Sequence, residues 1–84
     1  MVHLNEARPG QTGVVEVIDL PEEVSHHLAH LGFLPGAEVE VLRRAPAGDP
    51  TVYRIDGIEV ALRSETAQHI HLSLPTESTA HDLL

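Results

Sequence analysis

The sequence contains no cysteine, no lysine and no tryptophan, and each absence excludes a class of protein. Without cysteine, a chain of 84 residues has no disulfide framework and no thiolate to bind zinc or act as a nucleophile. This composition predicts a reducing, cytoplasmic environment. Without lysine there is no Schiff-base or phosphate-loop lysine, and neither G-x-x-x-x-G-K-[ST] nor G-x-S-x-G occurs. The sequence therefore predicts a protein that is not an enzyme.

Positive charge and long apolar runs are also scarce. Thirteen acidic residues outnumber five basic ones, all arginine, and the formal net charge is -8. Phosphate backbones and anionic headgroups repel such a surface, so we expect no nucleic acid partner. No run approaches the roughly 20 apolar residues needed to cross a bilayer, so we expect no membrane insertion. The length suits one domain.

Short strands separated by turn residues account for most of what is present. A β-branched run predicts a strand at 13–18, and alternating apolar residues predict strands at 37–44 and 69–74. Residues 45–50 form a loop by composition, and residues 64–68 fit one helical turn. The pattern indicates a mainly β protein, a small and strongly bent barrel.

The dipeptide 56–57 (DG) gives the clearest local prediction. Asp-Gly between two apolar runs favours the type I′ turn of a two-residue hairpin, here joining 51–55 to 58–62. Counting outward pairs Ile55 with Ile58, Arg54 with Glu59, Tyr53 with Val60, Val52 with Ala61 and Thr51 with Leu62. Apolar residues, Ile58 among them, then share one face, while Arg54 and Glu59 make a favourable pair on the other.

One short amphipathic helix is predicted at 22–31. Asp19 is the expected cap, and Gly32 supplies the left-handed residue that ends many helices. Apolar residues at helical spacing form its inner face, namely Val24, Leu28 and Leu31. Pro35-Gly36 then predicts a type II turn before the next strand.

Three segments occur in order along the chain: residues 31–36 (LGFLPG), 43–50 (RRAPAGDP) and 60–63 (VALR). They closely resemble the FeoA family of ferrous iron transport proteins, and the resemblance covers about residues 3–74. It implies an SH3-like barrel of five to six strands with one short α-helix, spanning residues 1–74. The resemblance also implies a cytoplasmic protein that works beside FeoB, a membrane iron transporter with a GTP-binding domain. Residues 75–84 mix small polar residues without a pattern, which predicts a flexible tail.

A second resemblance is to the C-terminal module of DtxR-type metal-dependent repressors. No helix-turn-helix precedes the domain here, so a stand-alone FeoA-type protein is the closer match. We therefore expect a non-enzymatic accessory of ferrous iron uptake that binds FeoB through its barrel. The alternative is a small transition-metal-binding or iron-sensing module that uses surface histidines, and a third interpretation is an orphan regulatory module.

Seven histidines are the most unusual feature of the composition. His26 and His30 lie one helical turn apart, so both imidazoles can reach one Fe²⁺ or Zn²⁺ ion. Without a carboxylate ligand they would bind weakly, and the alternative is an ordinary solvated helix face. His69 and His71 form a second pair, which fits the polar side of a half-buried strand. No cofactor is predicted with certainty.

A partner-binding surface is inferred from apolar residues on outward strand positions. Such patches often mark partner sites, and three arginines are placed to form its rim. The predicted set is Leu34, Pro35, Leu42, Arg43, Arg44, Val52, Ala61 and Arg63. The alternative is that the helix or the tail covers these residues. A groove for proline-rich peptides is not expected, because Phe33 and Tyr53 are the only aromatic residues.

Overall fold

The computed structural model describes residues 1–74, so the tail predicted at 75–84 lies outside the described residues. Six strands, two helices and a 3₁₀ turn at Leu4–Glu6 make up this part of the chain. In chain order they are β1 (Val2–His3), β2 (Thr12–Ile18), α1 (Glu22–His30), β3 (Glu38–Arg44), β4 (Thr51–Ile55), β5 (Ile58–Leu62), α2 (Ser64–Ala67) and β6 (Ile70–Ser73). The prediction of a mainly β fold with one short α-helix is confirmed, since α2 is a single turn.

All strand pairs are antiparallel, in the order β1-β6-β2-β3-β4-β5. The chain thus returns from β5 across the sheet to place β6 between β1 and β2. Strand β1 was not predicted, because two residues are too few to show an alternating pattern. It pairs Val2 with Leu72 and His3 with His71 at one edge of the sheet. Within residues 1–74 neither helix has the length and apolar character that a bilayer crossing requires.

The predicted hairpin is confirmed in every pair. Strands β4 and β5 pair from Ile55 with Ile58 through Thr51 with Leu62. Asp56 has φ 53° and Gly57 has φ 77°, the two positive values that a type I′ turn requires. Ile58 differs from expectation, because it is 50% exposed although it shares a strand face with buried residues. Its place beside the turn, on the edge strand, leaves it little to pack against.

Helix α1 spans Glu22–His30, close to the predicted 22–31, and ends at Gly32 as expected, but its N-cap differs from the predicted Asp19. Gly32 has φ +106°, and two main-chain bonds close the helix, Gly32 N–H to Ala29 O and Phe33 N–H to Leu28 O. This pair of bonds is the Schellman arrangement. The N-cap is Pro21 with no side-chain bond, whereas the N–H of Asp19, further upstream, bonds to His69 O.

The inner face of α1 is narrower than its apolar spacing suggests. Leu28 is buried and Leu31 is half-buried, but Val24 is 38% exposed. Val24 lies in the first turn of a nine-residue helix, where the sheet does not cover it. The helix is therefore anchored to the core mainly through its C-terminal half.

Strand β3 contains an extra residue that the alternating pattern did not explain. Val41 pairs with Tyr53 and Arg43 with Val52, so Leu42 has no partner in the ladder. An extra residue of this kind is a β-bulge. The bulge absorbs Leu42 and keeps the residues on either side of it in register.

The core lies on the inner face of the sheet, where Leu28 of α1 also packs. Its members come from every strand except β1, and from both helices and the 3₁₀ turn. They are Leu4, Ala7, Val15, Leu28, Phe33, Val39, Val41, Tyr53, Ile55, Leu62, Ala67, Ile70 and Leu72. Phe33 and Tyr53 meet edge to face, with ring centroids 6.4 Å apart. These two rings are the largest fully buried side chains among residues 1–74.

We expect alkaline pH to weaken the fold through Tyr53. Burial raises the pKa of the Tyr53 hydroxyl above its usual 10.0, an effect that a hydrogen bond with Thr51 and the charge of Arg44 partly offset. The unfolded chain therefore loses this proton at a lower pH than the folded protein. Stability is complete below about pH 10 and falls above it, by up to about 1.4 kcal/mol per pH unit, until the folded protein also ionises.

Urea unfolding at several pH values measures this loss. Because the chain has no lysine, no cysteine and one tyrosine, Tyr53 is the only side chain that titrates between about pH 9 and 11.5. Tyrosinate absorbance therefore reports one site, with a midpoint above 10 in the folded protein. The Tyr53→Phe variant is the control, and an equally steep loss of stability in that variant would refute the assignment.

Candidate functional site

The outer face of β3, β4 and β5 carries a row of alternating charges. Arg54 Nη1 lies 3.1 Å from Glu40 Oε1, and Arg54 Nη2 lies 3.8 Å from Glu59 Oε2. Arg43 Nη2 continues the row, 3.0 Å from the other oxygen of Glu59. Each exposed pair contributes at most about 1 kcal/mol to stability. The row orients four charged groups toward solvent, where a partner can meet them.

The bulge at Leu42 separates the roles of the two neighbouring arginines. Arg43 projects outward and is 61% exposed, whereas Arg44 is half-buried. Arg44 donates to Ala7 O at 2.7 Å and to Thr51 Oγ1 at 3.1 Å. Hydrogen bonds from a charged group to buried neighbours are among the stronger ones, so Arg44 holds the N-terminal segment against β4. Of these two arginines, Arg43 is the one exposed to a partner.

Apart from Arg44, the residues of the predicted partner surface lie in three places. The first is a group on the bulged outer face, which we call the outer patch: Leu42, Arg43, Val52 and Ala61. Leu42 and Val52 are half-buried, and Ala61 is exposed. The second is the exposed Leu34–Pro35 turn, whose Ala37 N–H to Leu34 O bond and Gly36 φ of +94° confirm the predicted type II turn. Arg63 is exposed at the N-cap of α2.

An open cleft of about 830 Å³ lies beside the Leu34 turn. The C-terminal end of α1 forms one wall, and β3, β4 and the hairpin turn form the other. The lining residues are Thr12, Ala29, His30, Gly32, Leu34, Ala37, Glu38, Glu40, Arg54, Asp56 and Gly57. Glu40 and Arg54 also belong to the charged row, so the cleft and the outer patch are parts of one continuous surface.

The cleft is lined more by polar than by apolar groups and carries an excess of acid. Glu38 and Asp56 form no ion pair within residues 1–74, while the charge of Glu40 is matched by Arg54. Carboxylates repel anionic ligands, so the arrangement favours a protein segment over a phosphate-bearing molecule. Sequence reasoning placed Leu34 and His30 separately and did not find the acidic wall.

A signal for the cleft is nevertheless present in the sequence. The Pro-Gly turn precedes β3, and the Asp-Gly turn follows β4. Because β3 and β4 are antiparallel, with Val39 opposite Ile55, the two turns lie at the same end of the sheet. Combining the two turn predictions with the pairing of these strands would have placed Leu34 close to Asp56.

Four of the six histidines within residues 1–74 form two ring pairs. His26 and His30 meet edge-on with centroids 4.8 Å apart on the exposed side of α1, as the helical spacing predicts. His71 contacts His3 of β1 across the sheet, with centroids 4.6 Å apart. Residues 1–74 contain no group of three or more side chains that would form a metal cage. Metal binding at His26 and His30 stays a prediction.

Comparison with known proteins gives one family match that spans nearly all of the described chain. The model of the FeoA domain matches residues 2–74. A curated relative, the Fe(2+) transport protein A/Fe(2+) transporter FeoB fusion protein of Porphyromonas gingivalis, is 30% identical over 73 residues. The match covers 87% of this chain and 9% of the fusion protein, so the chain spans a small part of that relative.

Solved structures of FeoA proteins have the same fold. The FeoA protein of Chlorobium tepidum matches with a TM-score of 0.84 and 29% identity, over 89% of this chain and 71% of that one. The Stenotrophomonas maltophilia FeoA, described as a procaryotic SH3 domain protein and solved with zinc, matches with a TM-score of 0.73 and 27% identity. That match covers 87% of this chain and 91% of the other. The SH3-like architecture is thereby confirmed.

Proposed function

The chain belongs to the FeoA family of ferrous iron transport proteins, and from this premise we propose that it is a non-enzymatic, cytoplasmic accessory that docks on a FeoB-type iron transporter. The fusion protein of Porphyromonas gingivalis carries the main support. There, transport protein A and the transporter are parts of one chain. Covalent linkage keeps two modules at a high effective concentration. Two modules on separate chains need a binding interface to stay together instead.

The surface that the proposal assigns to docking is the outer patch together with the Leu34 turn. It offers a 50% exposed leucine, a half-buried valine and leucine, and a row of oriented charges. An apolar centre with a charged rim is the usual anatomy of a protein interface. The cleft carboxylates of Glu38 and Asp56, which form no ion pair in the described part of the chain, favour a partner that presents basic side chains there.

The test is association of the purified chain with the transporter in its native membrane, with and without nucleotide. Leu34→Glu and Ala61→Glu each place a negative charge on the proposed surface, and we expect each to weaken binding about tenfold or more. Val17→Glu is the matched control, because Val17 is 46% exposed on β2 and belongs to neither the outer patch nor the cleft. Its binding is expected to change less than about threefold.

Two results would contradict this proposal in different ways. If the unaltered chain fails to bind the transporter in either nucleotide state, the docking function is wrong. If the unaltered chain binds and all three variants weaken binding equally, the docking function stands but the docking surface lies elsewhere on the molecule.

A second candidate function is a small transition-metal-binding or iron-sensing module. The observation in its favour is the contact between the rings of His26 and His30, both exposed and one helical turn apart. Anaerobic calorimetry with Fe²⁺ tests it, comparing the unaltered chain with the double variant His26→Ala/His30→Ala. Iron binding that disappears in the double variant would support sensing, and unchanged binding would exclude this pair.

A further inference from the structure

We propose that His3 and His71 form a divalent-metal site that fastens the edge strand β1 to β6. This pair binds a first-row metal ion more tightly than the helical pair, His26 and His30, does. The two residues lie directly opposite each other in the β1–β6 ladder. Side chains opposite each other on neighbouring strands project from the same face of the sheet. The ring centroids lie 4.6 Å apart with the planes inclined by 50°.

The hydrogen bonding of His3 prepares it as a ligand. Its Nδ1 lies 2.6 Å from the main-chain oxygen of Gln68. A carbonyl oxygen only accepts, so Nδ1 carries the proton and Nε2 of the neutral ring keeps its lone pair. Metal-binding histidines typically donate their second ring N–H to a carbonyl or carboxylate, which fixes the tautomer and the ring orientation. His3 makes this bond in the structure.

The separation of the two rings suits coordination by one ion. Two zinc–nitrogen bonds of about 2.0–2.1 Å at a tetrahedral angle place the nitrogens about 3.3 Å apart. With centroids 4.6 Å apart, rotation and a small shift of the His71 ring would bring one of its nitrogens toward Nε2 of His3, whose ring the bond to Gln68 holds in place. Within residues 1–74 no third His, Cys, Asp or Glu side chain joins the pair, so water is expected to fill the remaining positions around the ion. Zn²⁺ and Ni²⁺ are expected to bind more tightly than Fe²⁺ at such a site.

The helical pair lacks these features. Among the hydrogen bonds of residues 1–74, none holds the ring of His26 or His30. The ring centroids of the two pairs lie at similar distances. What distinguishes the pairs is that the Gln68 carbonyl orients the ring of His3. The two sites also differ in what binding does to the fold. His3 and His71 come together only when the chain folds, so an ion bound by both stabilises the native state. The ion would add to the two ladder pairs of β1 and to the burial of Leu4, which follows it.

The experiment is titration of the full chain with Zn²⁺, followed by calorimetry and by the thermal midpoint, Tm. We expect one ion to bind and to raise Tm by about 5 °C or more at a hundredfold excess over Kd. His3→Asn keeps an amide donor close to the position of Nδ1 but removes Nε2, so it separates ligation from the bond to Gln68. His71→Gln removes the other ligand without touching that bond.

Each single variant should lose about tenfold or more in Zn²⁺ affinity and lose the rise in Tm. The matched control, His26→Gln/His30→Gln, should keep its Zn²⁺ affinity within about threefold and should keep the rise in Tm. Zinc should also protect the amides of residues 2–4 from hydrogen exchange, but only when His3 and His71 are intact. Loss of binding in the helical double variant would overturn the proposal. So would binding that survives every variant, which would mark an adventitious ion only.

Discussion

Replacing Phe33 by alanine is expected to remove about 3–5 kcal/mol of unfolding free energy, roughly half or more of what a domain of this size possesses. Phe33 is completely buried and packs edge to face against Tyr53. These are the only two aromatic side chains in the sequence, so no neighbour of similar volume can move into the space. The cavity is therefore expected to stay largely open.

Urea unfolding followed by far-ultraviolet circular dichroism measures the loss. The control is Leu34→Ala, the adjacent residue, which is 50% exposed and is expected to cost less than about 1 kcal/mol. Neither change removes the bond from the N–H of Phe33 to Leu28 O that closes α1. Equal losses in the two variants would show that the ring of Phe33 is not the centre of the core.

Gly32→Ala is expected to cost about 2–4 kcal/mol, although it adds one methyl group. Gly32 has φ +106°, a conformation that alanine adopts only with strain. A Cβ atom there would also lie 3.3 Å from Cβ of Asp56 and 3.6 Å from Cγ2 of Ile55. Both effects act where the end of α1 packs against the hairpin turn, so the substitution would push the helix away from β4.

Gly48→Ala separates the two effects. Gly48 has φ +95°, but a Cβ atom there would meet nothing within 4 Å. We therefore expect only the conformational cost, about 1–2 kcal/mol. The difference between the two variants in urea unfolding gives the contribution of the close contact. If Gly48→Ala proves as costly as Gly32→Ala, the contact of the added Cβ atom with Asp56 and Ile55 contributes nothing to the cost of Gly32→Ala.

Elements set by local chemistry were predictable from the sequence. The Asp-Gly turn fixes the register of β4 and β5 by itself, because both of its residues must adopt positive φ. Gly32 ends α1 for the same kind of reason. Features that depend on a neighbouring strand were not predictable from the sequence. The bulge at Leu42 is defined by what lies opposite it on β4, and β1 exists only through its pairing with β6.

The same distinction applies to the candidate sites. The outward positions of Val52 and Ala61 follow from the hairpin register, and the contact of His26 with His30 follows from helical spacing. The cleft was missed, because the carboxylates of Glu38 and Asp56 resemble ordinary solvated side chains until two turns are placed at one end of the sheet. The contact of His3 with His71 was missed together with β1, because the contact depends on that strand.

Because of the bulge, Leu42 takes no part in the pairing of β3 with β4. Leu42 has no opposite residue in the ladder, and Arg43 and Arg44 already face the sides they would face if it were absent. Its side chain can therefore vary in size or polarity without turning any neighbour to the other side of the sheet. What the outer patch recognises can change at this position during evolution, or by design, while the architecture beneath it is preserved.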